Sequence, residues 1–137
     1  DAAKGQGHAL SSAERKLIEQ HAVRRAVRHF VRQGYDVEEL GRPYDLLCTK
    51  PSDPRDVLHV EVKGTQGAGD VIILTKNEVA HSRANERRMI LFVVHSIRLT
   101  RSGSGVRVAG GKEHIVRRWS PDDVDLTPIA YYCRVAR

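Results

Sequence analysis

Six consecutive apolar residues, Met89-Ile90-Leu91-Phe92-Val93-Val94, leave few structural options. A strand with one wet face alternates apolar and polar side chains. An unbroken run therefore predicts a strand over Met89–Thr100 that is covered on both faces and central in its sheet. Such a strand needs partners on either side and layers above and below.

The rest of the chain supplies them. Tyr35 to Leu40 reads as a short edge strand or turn, and Tyr44 to Thr49 as a strand. Pro51-Ser52-Asp53-Pro54 makes a turn, and Val57 to Gly64 returns as the second arm of a hairpin. Gly64 to Asp70 carries three glycines and is expected to be a flexible loop, followed by a short strand over Val71–Leu74. Ser11-Ser12-Ala13-Glu14 has the form of a capping box and opens a helix to about Gln33, before Gly34. That helix has an apolar stripe of Val23, Ala26, Val27, Phe30 and Val31. Arg24, Arg25, Arg28 and Arg32 lie largely round its other side, as a solvated face or one that meets a polyanion. Thr75-Lys76-Asn77-Glu78 is a second capping box, with a helix to about Asn85. Arg101 to Gly105 is a loop. The remainder holds one or two short strands and a helix start at Ser120-Pro121. The order implies an α/β architecture, a central mixed β-sheet flanked by α-helices. With 137 residues there is room for one core, so residues 11–137 are taken as a single domain behind a loose arm over 1–10.

The strand Val57–Gly64 contains an anomaly. Alternate side chains share a face, so Leu58, Val60 and Val62 point one way and His59, Glu61 and Lys63 the other. Asp45 lies on the preceding strand, and hairpin pairing can place it beside Glu61. Two carboxylates and an ammonium in one patch suit phosphodiester cleavage. The carboxylates, Asp45 and Glu61, can hold Mg²⁺, with Mn²⁺ as a substitute, through oxygen ligands and waters. Lys63 can orient the attacking water and stabilise developing charge. An acid-x-Lys sequence alone says little, because Glu14-Arg15-Lys16 repeats it at a helix start. The competing reading is a surface hairpin with an exposed Glu–Lys face.

Charge adds a partner class. Lys and Arg total 23 against 17 Asp and Glu, a net +6 with a pI near 9.7. Seventeen of those cations are arginines. Arginine binds phosphate bidentately, so the excess suggests a polyanion, although genome composition alone can produce it. Seven aromatic residues are few for a channel that stacks single-stranded bases. No apolar run approaches the ~20 residues of a membrane-spanning helix, so no membrane partner is expected. The opening residues lack the pattern of a secretory signal, and Asp1 in place of Met suggests a processed chain or an excised domain. Cys48 and Cys133 both sit among apolar neighbours without a CxxC. Two buried free thiols and a reducing, cytoplasmic setting are expected.

The text Pro43-Tyr44-Asp45, then Val60-Glu61-Val62-Lys63-Gly64-Thr65, Leu74-Thr75-x-Asn77-Glu78-Val79 and Leu91-Phe92-Val93-Val94 carries a resemblance. Asp45 with Glu61-Val62-Lys63 looks like the PD-(D/E)xK signature of the restriction-endonuclease-like superfamily. The longer text resembles the domain at the carboxyl end of NO VEIN proteins, which is similar to Mrr-type nucleases. It covers roughly residues 15–100, and more loosely the Trp119 region and Tyr131-Tyr132. The resemblance implies a restriction-endonuclease-like fold with Asp45, Glu61 and Lys63 at the site. A glutamate of the first helix often joins such sites. Glu19, in Glu-x-x-Ala with Ala22, fits that place better than Glu14, which is expected to face solvent.

The implied function is a Mg²⁺-dependent DNA endonuclease module with a restriction or defence role. The alternative is a DNA-binding module of the same fold without cleavage, such as a reader of modified bases. A third reading is a structural domain that docks a larger partner. Contacts to double-stranded DNA are expected from Arg83, Arg87 and Arg88 on the second helix and Lys76 at its start, where the helix amino terminus also attracts phosphate. Asn77 can bond a phosphate or a turn, and Gln66 lies close enough to Lys63 to reach a phosphate. Thr75 and Glu78 read most simply as a cap, and His59 and His81 as structural or surface residues. A homodimer or a larger multidomain protein is compatible with all three readings.

Overall fold

A computed structural model describes residues 9–42, 44–123, 126–131 and 133–135. Residues 1–8 of the expected arm, with Pro43 and Tyr132 of the motifs, lie outside that set. Leu10, at the end of the arm, packs against the core.

Ser11 caps helix α1 (Ser12–Arg32) reciprocally with Glu14, as its sequence predicts. A sheet of five strands follows the order of the chain: β1 (Asp36–Glu39), β2 (Leu46–Lys50), β3 (Asp53–Gly64), β4 (Met89–Ser102) and β5 (Gly105–Arg117). Neighbours run antiparallel except β3 and β4, which are parallel. The parallel step needs a crossover, and helix α2 (Lys76–Ala84) lies in that connection. β4 has β3 on one side and β5 on the other, and Met89 to Val94 are all buried.

The two faces of the sheet differ. On one, Ile18, Ala22, Ala26 and Phe30 of α1 meet Leu46, Cys48, Val60, Val62, Ile90, Phe92 and Val94. On the other, Met89, Leu91, Val93 and Trp119 form a smaller cluster with Ile72, Leu74 and Val116. The candidate site lies beside this second cluster.

Several expectations are corrected. Val71–Leu74 forms no strand; Ile72 and Leu74 turn in while Val71 and Ile73 stay exposed, so the alternation reflects a half-packed extended segment. The residues after Arg101 form one 13-residue strand instead of short pieces, because β4 and β5 pair up to Ser102 and Gly105 across a tight turn. The helix expected at Ser120-Pro121 is a single 3-10 turn, Pro121–Asp123. The glycine loop after β3 is pinned: Ser96 N donates to Gly67 O at 2.8 Å and Ile97 N to Thr65 O at 3.2 Å.

Candidate functional site

The register of β2 on β3 builds the site. Leu46 pairs with Val60, which brings Asp45 alongside Glu61. Asp45 N donates to Val60 O at 3.2 Å, and Asp45 Oδ2 accepts from Val62 N at 2.7 Å. Backbone pairing thus fixes the Asp45 main chain, and the Val62 N–H holds one oxygen of its carboxylate. Val60 and Val62 turn into the α1-side core, so Glu61 and Lys63 point to the opposite side.

Glu61 is only 3% exposed. Lys63 Nζ lies 3.6 Å from Glu61 Oε1 and bonds both oxygens of Glu78, at 2.9 and 3.1 Å. Burial, a hydrogen bond to Glu78 and the nearby charges of Asp45 and Glu78 push the Glu61 carboxyl far above the usual carboxylate range. Burial opposes ionisation of Glu78 too. There the bonds from Glu61, Thr75 N–H and Lys63 outweigh it and hold the carboxyl below its ordinary value.

Glu78 was read from sequence as a helix cap. It is one: Glu78 Oε1 accepts from Thr75 N at 2.8 Å and Thr75 Oγ1 from Glu78 N at 3.1 Å. The same carboxylate also grips Lys63. Its place beside Asn77 in the family text was the signal, and the cap sufficed to explain it.

An aromatic wall borders the cluster. The ring of Tyr44 stacks on His59 at 4.2 Å and on His81 at 4.6 Å. His59 Nδ1 and His81 Nε2 share a hydrogen bond of 3.0 Å. Burial lowers the pKa of both imidazoles, and His81 and Arg88 lower that of His59 further. The two imidazoles thus contact each other and the Tyr44 ring, half-buried on the same side of the sheet as Glu61.

The remaining candidates scatter. Glu19 is exposed, and among the described residues it makes no hydrogen bond or ion pair with the trio. Glu14, expected in solvent, is buried at the helix start. It closes the capping box and pairs with Arg101, whose guanidinium and the Ser11 N–H hold its carboxyl down at about 2. Its head group lies at the rim beside the exposed Arg101. Where α1 crosses the end of β3, Ile18 and Ala22 are what it presents to Gly64. Lys76, Asn77 and Gln66 are exposed near the α2 start and the loop after Lys63. Arg83 pairs with Asp122 at 3.2 Å. Arg87 and Arg88 lie beyond the helix, in the turn before β4, because α2 ends at Ala84. Arg25 leaves the solvated arginine face and bonds Gly110 O, Gly111 O and Glu113. Cys48 is buried, with burial pushing its thiol up to about 12, whereas Cys133 is exposed, against expectation.

Among the described residues no three His, Cys, Asp or Glu side chains group as a metal centre. Asp45 and Glu61 nevertheless fit a hard cation. Both offer oxygen, the register of β2 on β3 sets them side by side, and Lys63 divides its ammonium between Glu61 and Glu78. Two carboxylates with waters is an ordinary Mg²⁺ ligand set.

Residues 13–107 match the family described as Protein NO VEIN, C-terminal. Neither the curated proteins nor the solved structures give a match to the chain. The family match spans well over half of the 137 residues, and the chain belongs to this family.

Proposed function

We propose that this member of the NO VEIN carboxyl-terminal family is a metal-dependent nuclease of the restriction-endonuclease-like kind, cutting double-stranded DNA in a restriction or defence role. The observation that supports it is Glu61. A carboxyl only 3% exposed, between Asp45 and Lys63, serves no packing purpose. Asp45 and Glu61 would hold Mg²⁺ or Mn²⁺, and the chemistry such an ion supplies is neutralisation of phosphate charge and acidification of water. Lys63 keeps its ammonium beside Glu61 and offers it to the charge that develops on the phosphate. Asp45, fixed through Val62 N–H, orients the pair.

A second reading has its own observation. Lys63 is already satisfied by Glu78 at 2.9 and 3.1 Å, so the cluster is complete as a clamp between β3 and α2. The fold would then bind DNA without cutting it. Plasmid nicking with Mg²⁺, Mn²⁺ or EDTA, on methylated and unmodified DNA, separates the two. The nuclease reading expects metal-dependent nicking that Asp45→Ala and Glu61→Ala abolish while DNA binding persists. Wild-type protein that never nicks under any of these conditions refutes it.

A further inference from the structure

From Ile97 to Lys112 the chain has four cations, Arg98, Arg101, Arg107 and Lys112, and no acid. These residues form the distal part of the β4–β5 hairpin. Ser96 (φ 56°), Gly110 (φ 72°) and Gly111 (φ 99°) sit opposite one another and adopt left-handed backbone. They flip the in–out alternation of both strands. Before the kink, Phe92 and Val94 face α1; after it, Ile97, Leu99 and Val108 do. Cross-strand partners share a face, so Arg98 with Ala109, and Thr100 with Arg107, turn away from α1. Lys112 opposes His95 on that same side. This is the side that carries Asp45, Glu61 and Lys63.

Arg101 is excluded, since it pairs with Glu14. Among the described residues Arg98, Arg107 and Lys112 are exposed and have no carboxylate partner. The ribbon is also braced. His21 Nε2 donates to Gly110 O at 2.7 Å, and Arg25 to Gly110 O at 2.8 Å and Gly111 O at 3.2 Å. A pre-ordered arm loses little freedom on binding.

We propose that the outer face of this β4–β5 ribbon is a docking surface for duplex DNA, engaging phosphates with Arg98, Arg107 and Lys112. This rests on the reading that the chain engages DNA, and extends it to a surface none of the expected DNA contacts occupies. A two-stranded ribbon fits the ~12 Å major groove. Val93 pairs with Lys63, and Arg98 and Thr100 lie five and seven residues further along β4. At roughly 3.3 Å per residue that is about 16–24 Å, or about half a turn of duplex from the site. Scissile phosphate and ribbon contact would then belong to one DNA molecule.

The test is fluorescence anisotropy of a labelled 20-base-pair duplex between 50 and 200 mM salt, with Asp45→Ala present throughout to prevent cutting. Each phosphate contact contributes about 0.9 to the slope of log affinity against log salt. Replacing Arg98, Arg107 and Lys112 by alanine should flatten the slope by about 2.7 and shrink the salt-induced loss about 40-fold. Arg107→Glu alone should weaken binding in the same direction, should the triple variant fold poorly. Arg24→Ala with Arg28→Ala, on the outward side of α1, should leave the slope unchanged. An unaltered slope in the triple variant overturns the proposal, as does loss in the α1 variant instead. Anionic lipid vesicles that compete as well as unlabelled duplex would overturn it in favour of a membrane. Wild-type protein that binds through the ribbon but never nicks plasmid leaves this surface standing and removes the nuclease reading alone.

Discussion

Gly64 follows Lys63 directly, at the point where α1 crosses β3. A methyl group there would lie 2.9 Å from Ala22 Cβ and 3.0 Å from Ile18 O. Ordinary contact begins about half an ångström further out, and Ile18 O belongs to helix backbone that no side-chain rotation can move. Gly64→Ala must therefore push α1 and β3 apart. Overpacking of this kind costs roughly 1–3 kcal/mol. For a domain of this size each kcal/mol lowers Tm by about 3–5 °C, so a drop of about 3–15 °C is expected. Ala22→Gly removes the closer of the two obstacles but weakens the helix by roughly 1 kcal/mol. In the double variant part of the Gly64→Ala cost should disappear, giving a favourable coupling of at least about 0.5 kcal/mol. Calorimetry or urea melts of the four proteins complete the cycle. Strict additivity, or a Gly64→Ala protein that melts like wild type, would refute the claim that close helix approach is why a glycine stands here. The carboxyl cluster feels the same displacement, because Lys63 is carried on the strand segment that moves.

Glu78→Gln should leave the fold intact, since Gln also closes a capping box. On the proposed nuclease reading it should slow single-turnover cleavage roughly ten- to hundred-fold, the equivalent of about 1.5–3 kcal/mol for a charge-assisted bond to Lys63; a wild-type rate would make that contact merely structural. The pKa of both His59 and His81 is lowered from 6.5 on folding, so the unfolded chain binds more protons below that pH. Their contribution is complete above about 6.5 and is lost as the pH falls through the lowered folded values. The raised Glu61 carboxyl gains stability over the same range in both proteins, so the histidine term is read as a difference: the wild-type urea midpoint should fall from pH 7 to 5 relative to that of His59→Asn/His81→Gln, and a relative rise contradicts the assignment. Iodoacetamide should label one thiol of the native protein, Cys133, and reach Cys48 only in denaturant; two modifications under native conditions would show that the α1-side core admits solvent.

What the sequence revealed follows how local the cause is. The two capping boxes and the buried run Met89–Val94 depend on neighbours a few residues away, and they stand as read. The pairing of Asp45 with Glu61 was legible because a short hairpin has one favourable register. The failures need contacts across the chain. Glu14 meets Arg101, 87 residues on, so a residue that looks like a first-turn surface acid becomes buried. Arg25 looks solvated until β5 offers it two carbonyls. The length of β5 could not be read from residues 105–117, which hold three glycines and alternate poorly. The kink at Ser96, Gly110 and Gly111 changes which side chains face in, and strict alternation cannot survive that.

The charge count of the cluster bears on why it exists. Asp45, Glu61 and Glu78 bring three carboxyl groups to one ammonium. Were stability the sole purpose, apolar residues of similar volume would serve as well or better, because desolvating ions costs several kcal/mol each. The neighbouring Met89, Leu91 and Val93 show that this side of the sheet accepts such residues. Glu61 instead stands where burial and the charges of Asp45 and Glu78 oppose its ionisation. On the proposed nuclease reading, a divalent cation held by Asp45 and Glu61 would favour the ionised carboxyl and offset that cost. Lys63 cannot do this for all three, and Glu78 draws it toward the cap of α2. Among the described residues Asp45 has no ion-pair partner and Glu61 has the 3.6 Å contact with Lys63, and they are the two that the register of β2 on β3 sets side by side.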